Sequence, residues 1–415
     1  MSTHSRLSLS LLLLAALQLP ARPDDEAPPP TQPVSLGSIA EQVRSANPEL
    51  AAARLRLLEA EGRWRQSGVR ENPELETGFE NDSDLREWRA EIGVSLRFPL
   101  SDRLKREKSS SYALLQAVGE EIRQQERILA TAGLETVVEI LALRERRAGL
   151  LRQQVIAREL FAYLDGLAVK GEASPLDAGQ ARIEASALEA EVRRLDAQES
   201  QTLGRLRLLL GRAPEEPLEV QGVLPSPEAG APVLTDAEPS AVKAKRLEGR
   251  AARETAALEE GRSRGDLEAG FFVAGERAED APNGFDEEMA AGFRLSIPLP
   301  LLNRNEGAIA AAHATADRIA LEADAMAGRL QIEAATARAE MERWAALVAE
   351  IDQNILPATR EQERLTADAH RAGQVDLQAV LRLREKELQL SAARLDALRE
   401  YHLARVRRDA AIGQP

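Results

Sequence analysis

The residue types that carry most protein chemistry are scarce in this chain. There is no cysteine, which removes disulfides, thiolate metal sites, thiol nucleophiles and any acylated lipoprotein terminus. Histidine occurs at His4, His313, His370 and His402, too scattered in sequence to suggest a ligand set or a Ser-His-Asp arrangement. Aspartate and glutamate are abundant, but they run along helical stretches, where a charge run is a solvated face. No glycine-rich phosphate loop, HExxH helix or nucleophile elbow is present. The residues therefore point to no catalytic group, no cofactor site and no metal site. His313 and His402 read as helix-surface residues. Only His370, beside a glycine turn, is open to a role at a pore mouth.

Charge is more informative where it alternates with apolar residues. In Trp88–Phe98, Trp88, Ala90, Ile92, Val94, Leu96 and Phe98 share one face of a strand, and Arg89, Glu91, Gly93, Ser95 and Arg97 share the other. Leu75–Glu80 alternates likewise across a polar turn. The pattern returns about two hundred residues later. Leu267, Ala269, Phe271 and Val273 alternate with Glu268, Gly270, Phe272 and Ala274, and Met289–Ile297 alternates with Glu288, Ala290, Gly292, Arg294 and Ser296. Ionised groups interleaved with apolar ones need water on one side only, so Arg89, Glu91, Arg97, Glu268 and Arg294 are candidates to line a wet lumen. Their mixed charge suggests a permissive tube. Six of the seven phenylalanines (Phe79, Phe98, Phe271, Phe272, Phe285 and Phe293) fall in these two hairpin regions, as a membrane-embedded wall would place them. Four strands cannot close a barrel, and open edges are not tolerated in lipid. Oligomerisation must close the wall. Three copies would give twelve strands, although the pattern alone does not fix the number.

The elements that must position these strands are long helices. The chain has 415 residues, is 29% charged and only 3% aromatic, a composition that favours extended helices over aromatic-filled cores. Its net charge of −14 argues against nucleic acid as a partner. Residues 1–21 read as a signal peptide and 22–34 as a flexible lead-in rich in proline and acid. Two halves follow. Residues 35–230 carry a helix interrupted at Pro48, a β-hairpin at 74–98 and a helical hairpin with its tip near 171. Residues 231–415 carry a helix, a β-hairpin at 266–298 and a helical hairpin with its tip near 373, with a kink expected at Pro357. Leu381, Leu388 and Leu395 mark a heptad seam. At each tip a glycine (Gly171, Gly373) stops one helix, and Ser174 or Asp376, three residues on, can cap the next.

The order of elements, the Asn47-Pro48-Glu49-Leu50 start and the duplicated plan resemble the TolC outer-membrane efflux protein family over residues 35–413. The segment Ile297-Pro298-Leu299-Pro300-Leu301-Leu302-Asn303-Arg304-Asn305-Glu306-Gly307 is similar to one of the cobalt-zinc-cadmium (CzcC-like) branch. The resemblance implies a mainly α fold with a small β part, in which long coiled-coil hairpins form an α-barrel and four strands per protomer contribute to a trimeric twelve-stranded outer-membrane barrel. It also implies a homotrimer in outer-membrane lipid, docked to a periplasmic adaptor and an inner-membrane RND pump. On this reading the protein is a passive conduit, with heavy-metal cations as cargo, and the tips (Gly171, Glu172, Ser174, His370, Arg371, Gly373, Gln374, Asp376) form the docking and gating end. The chain departs from the branch at Leu100–Arg106, and it has Ala379 and Arg382 where relatives place a closing acidic ring. Drug efflux or type I secretion through the same fold, and a poreless periplasmic adaptor, are the other readings.

Overall fold

The computed structural model describes residues 33–82, 86–172, 174–228, 238–280, 284–375 and 377–414. The expected leader and Asp376 lie outside the described residues, as does all but the end of the 22–34 lead-in.

Short helix α1 (Ile39–Ala46) gives way to α2 (Pro48–Gln66) at Asn47, and the sequence explains the break. Pro48 lacks an N–H and is tolerated only in a first helical turn. The Asn47 carboxamide oxygen accepts from the backbone N–H groups of Glu49 and Leu50 at 2.9 and 3.1 Å, capping α2. Its Nδ2 donates to the Leu209 carbonyl at 2.8 Å, tying this corner to the end of a distant helix.

Strands β1 (Glu74–Asn81) and β2 (Trp88–Pro99) follow, then α3 (Arg103–Val169), a single helix of 67 residues. At 1.5 Å per residue it is about 100 Å long. It turns back into α4 (Pro175–Leu209). The second part of the chain runs through α5 (Ser240–Arg262), β3 (Asp266–Asp280), β4 (Gly284–Ser296) and α6 (Glu306–Glu350). It continues through a π-turn (Ile351–Ile355) into α7 (Leu356–Arg371) and, after a tight turn, α8 (Leu377–Ala411). The helical run from Glu306 to Arg371 matches α3 in length. At the expected kink, Pro357 falls in the first turn of α7, directly after the π-turn. The residue has no N–H to donate, and the π-turn immediately upstream carries the helix past it. The fold is thus mainly α with one small sheet, as expected.

The four strands form one antiparallel sheet in the order β1-β2-β3-β4, with β1 and β4 as open edges. Trp88 on β2 pairs with Arg277 on β3 in the last rung between those strands, and the Asp82 N–H donates to the Glu87 carbonyl one step beyond it. The β3–β4 hairpin continues for three further rungs, to Asp280 opposite Gly284. The main hydrophobic core lies far from the sheet, around the middle of α3. There Val34, Ile39, Val43 and Leu50 pack with Val137, Ile140, Leu206, Val220 and Leu398. A parallel bridge between Val34 and Val220 straps the beginning of the described chain to the segment after α4. Among the described residues no helix is long and apolar enough to cross a membrane.

Candidate functional site

The strand register fixes which side chains share a face. Pairing of Glu76 with Gly93, Gly93 with Phe272, and Phe272 with Gly292 runs one row across all four strands. Side chains alternate along each strand, so every row of this parity lies on the same side. The other side carries Leu75, Ile92, Val94, Leu96, Phe98, Phe271, Met289, Phe293 and Leu295, all exposed on the protomer. A soluble sheet would bury such a face against a second layer. Here it is bare, about five rows deep, with Phe271 and Phe293 in tilted contact at 5.3 Å. At one end stand Trp88 and the Arg277–Glu287 ion pair.

The polar face gathers all five of the charged residues singled out from the alternation. The Arg294 guanidinium donates to Glu91 at 2.8 Å and to Glu76 at 3.0 Å. Arg97 donates to Glu268 at 3.4 Å and to Glu71 at 3.3 Å. Arg89 pairs with Glu91 at 3.9 Å. Arg294 stands on β4 and Glu76 on β1, so one side chain spans the full width of the sheet. That reach requires the sheet to curve toward its polar side. It also requires empty positions on the way, which Gly93, Gly270 and Gly292 supply. A Cβ on Gly292 would meet Phe272 Cζ at 2.7 Å. The far edge of the Phe272 ring therefore fills the space over the glycine, and its centroid is 5.2 Å from the Arg294 guanidinium carbon, an aromatic on the polar side held by a cation.

Sequence alternation named two acids and three arginines here. Among the described side chains the register adds seven further carboxylates to the same side (Glu74, Glu76, Glu80, Asp266, Glu276, Asp286 and Glu288), so nine acids stand there against three arginines. The face is acidic rather than evenly mixed. Glu276 and Glu288 sit directly opposite one another as a like-charged pair.

The second candidate region is the pair of helical tips. Both are Schellman turns. At the first, Gly171 has φ +75°, its N–H donates to Ala168, and the Glu172 N–H donates back to Leu167 at 2.9 Å. At the second, Gly373 has φ +72° and the Gln374 N–H donates to Ala369 at 2.9 Å. The Ser174 hydroxyl accepts from the Leu176 N–H at 3.2 Å, capping α4. Glu172, Ser174, Arg371, Gly373 and Gln374 are exposed, and Arg371 pairs with Asp368 at 2.7 Å. His370 lies at the end of α7. Val169 and Leu176 add bare apolar surface to the first tip.

His313 is on the helix surface, bonded to Glu260 at 2.9 Å. His402 is not. It is 4% exposed in α8, with Nε2 2.8 Å from the Pro225 carbonyl oxygen and its ring edge-on to Tyr401. The segment after α4 folds over it, which helical periodicity alone cannot reveal. Burial holds its pKa below the ordinary value, opposed by the Pro225 hydrogen bond. Among the described residues no cluster of three or more His, Asp or Glu side chains is placed to hold a metal ion. The Ile297–Gly307 segment is the turn from β4 into α6. Asn305, at φ +60°, donates through Nδ2 to Glu259 at the end of α5, and Pro298 packs on Gly265.

Solved structures with the TolC-like channel fold align with this chain over most of its length. The outer membrane protein VceC from Vibrio cholerae aligns with a TM-score of 0.73 at 16% identity, covering 91% of this chain and 96% of that one. CusC, whose structures concern folding and transmembrane channel formation, aligns at 0.71 and 14% identity, covering 92% of each. The open-state MtrE outer membrane channel of Neisseria gonorrhoeae aligns at 0.64 and 12%, covering 91% and 89%. At these identities the likeness establishes the fold. No protein-family model matches the chain, and no curated protein sequence matches it.

Proposed function

We propose that this chain is the outer-membrane conduit of a tripartite efflux system, with no catalytic role. Three copies would pair β4 of one with β1 of the next, closing twelve strands into a barrel, with the helices forming a tube that extends into the periplasm. The carrying observation is the sheet: an unpaired edge on each side, a bare apolar face outward and an ion-paired acidic face inward. Only lipid outside and water inside suit both faces. In that assembly the exposed helical tips would meet a periplasmic adaptor and, through it, an RND pump. The acidic excess of the inner face favours cations over anions. Together with the likeness of Ile297–Gly307 to the cobalt-zinc-cadmium branch, it supports divalent heavy-metal cations as cargo.

The test is cell fractionation with seminative electrophoresis, followed by deletion of the gene. A heat-dissociable trimer in the outer-membrane fraction, with lost resistance to cobalt, zinc or cadmium that a plasmid copy restores, is the expected result. A soluble periplasmic monomer would overturn the conduit. A trimer whose loss leaves metal resistance intact but sensitises cells to organic compounds would overturn the cargo alone.

A further inference from the structure

Where the sheet meets the helices, a groove of about 770 Å3 opens between the end of α2 and the start of α3. Gly68, at φ +68°, lets the chain leave α2 pressed against α3, since a Cβ there would meet the Leu104 carbonyl. Trp64 and Tyr112 form the groove's aromatic wall, with ring centroids 5.7 Å apart. Lys108 Nζ stands 4.6 Å over the Trp64 ring and donates to the Trp64 carbonyl at 2.8 Å. Lys105 is exposed at the rim. Neither ammonium group has a carboxylate partner among the described residues. The Trp64 indole N–H and the Tyr112 hydroxyl have no hydrogen-bond partner there either. The chain has six lysines in all, and two of them are placed three residues apart in this groove.

The groove's position is as telling as its contents. Arg103, Arg106 and Ser110 of α3 reach Asp266, Glu254 and Ala251, so that side of the helix faces the polar side of the sheet and α5. Lys105, Lys108 and Tyr112 lie on a different stripe, about 200° around α3 from Arg103, Arg106 and Ser110, and share the groove with Val69, beside the end of the apolar sheet face. That face continues past the strand ends in exposed Leu100, Val69 and Leu299. Of the three tryptophans, Trp344 packs in the helical core, Trp88 marks one end of the apolar face, and Trp64 lies beyond the other. Tryptophan and tyrosine gather at the two membrane–water boundaries, where basic side chains also meet lipid phosphates.

We propose that this groove binds the phosphate-bearing headgroup of a phospholipid in the leaflet nearest the helices, with Lys105 and Lys108 on the phosphate and Trp64 and Tyr112 at glycerol level. The inference rests on the membrane-wall reading above. A neighbouring copy is a poorer occupant. The linker it would bring past this edge, from β4 to α6, offers Arg304 and no carboxylate before Glu306, leaving the two lysines unanswered.

The variant W88F/W344F leaves Trp64 as the reporter in the detergent-solubilised, assembled protein. Its emission is followed while dihexanoyl-phosphatidylglycerol, dihexanoylglycerol or inorganic phosphate is added. The expected result is a saturable response to the phospholipid alone, its midpoint raised about 30-fold by Lys105→Gln with Lys108→Gln. An unchanged midpoint in the lysine variant overturns the proposal. So does a response to inorganic phosphate as tight as to the lipid, which would make this a free-anion site. So does no response to any probe, which would mean that another copy covers the groove. Native mass spectrometry of co-purified phospholipid on the protein with and without the lysine pair repeats the comparison without touching a tryptophan; equal retention overturns it. Heat modifiability on the same samples separates the two levels of argument. An intact barrel with no lipid preference sinks this inference only, whereas a chain that stays folded and monomeric without detergent sinks the membrane wall as well.

Discussion

Ala290 and Ala291 are adjacent on β4, exposed, and identical in chemistry, yet the register puts them on opposite faces. Arginine at each position therefore asks a single question of the sheet. Ala290 lies beside the Glu276–Glu288 pair on the polar face, where a guanidinium would relieve a like-charge contact. Ala291 pairs with Val273 and is flanked along its strand by Met289 and Phe293. Its depth follows from the geometry. At about 3.3 Å per residue and a tilt of about 40°, each row of the sheet adds about 5 Å of height. Ala291 is two rows in from Trp88 and three rows from Phe98, which is about 10 Å from one end of an apolar band about 25 Å tall. That is near the bilayer midplane, where arginine on the lipid face costs about 2–4 kcal/mol. The expected shift is about 30- to 900-fold in the folding equilibrium per copy. Urea titrations of folding into phosphatidylcholine vesicles, read by heat modifiability, measure it directly. Ala291→Arg should lose folded protein at far lower urea than wild type, and Ala290→Arg should match wild type or exceed it. Equal midpoints for the two variants would falsify the lipid and lumen assignment.

Three further outcomes are expected. Gly171→Leu and Gly373→Leu meet no steric obstacle, since a Cβ at either has open space, so each should cost only the left-handed backbone, about 1–2 kcal/mol. Trimer levels should then persist while resistance falls, and resistance unaffected by both changes would confine the tips to a structural role. Asn47→Ala removes two capping bonds and the tie to Leu209, a loss of about 1–3 kcal/mol that denaturant midpoints should show; no change would mean water replaces the cap. His402 has a folded-state pKa below its ordinary 6.5, so the unfolded chain takes up the proton first as pH falls. Its contribution to stability is complete above about 6.5 and declines below it. His402→Gln, which keeps a donor for the Pro225 carbonyl, should flatten the fall in urea midpoint between about pH 7.5 and 5.5. An equally steep fall in the variant would assign the acid sensitivity elsewhere.

Much of the sheet was legible in the sequence. Alternation in Trp88–Phe98 is readable because one side of the strand is apolar and the other charged, and a period of two admits only one assignment of sides. The tip glycines were readable for a similarly local reason, because Gly171 and Gly373 end long periodic stretches and must adopt a positive φ. What escaped depends on contacts distant in sequence. The Arg294 bond to Glu76 joins residues 218 apart and exists only because the sheet curves. Glu74, Glu76 and Glu80 lie in a shorter, weaker alternation, and only their pairing with β2 makes the inner face acidic. Phe272 alternates with the polar set in sequence, and register keeps it there; what the alternation could not show is that Gly93 and Gly292 make room for its ring. His402 has the spacing of a surface residue until the segment after α4 covers it. The Ile297–Gly307 segment is a turn built around Asn305, so its pattern records a backbone requirement.

The β3–β4 hairpin stays paired for three rungs beyond the last rung between β2 and β3. In a closed ring of three, these paired ends would rise about 8 Å past that rung, as three teeth on the rim. Each tooth is acidic in sequence, with Glu279, Asp280, Asp286 and Glu287 and no basic residue between them. These teeth would be visible from outside the cell. They are where an antibody or a phage would first touch it, and where divalent ions bridging surface lipopolysaccharide would collect. A peptide tag placed between Asp280 and Gly284 should therefore be stained on intact cells, and one placed at the helical tips should not.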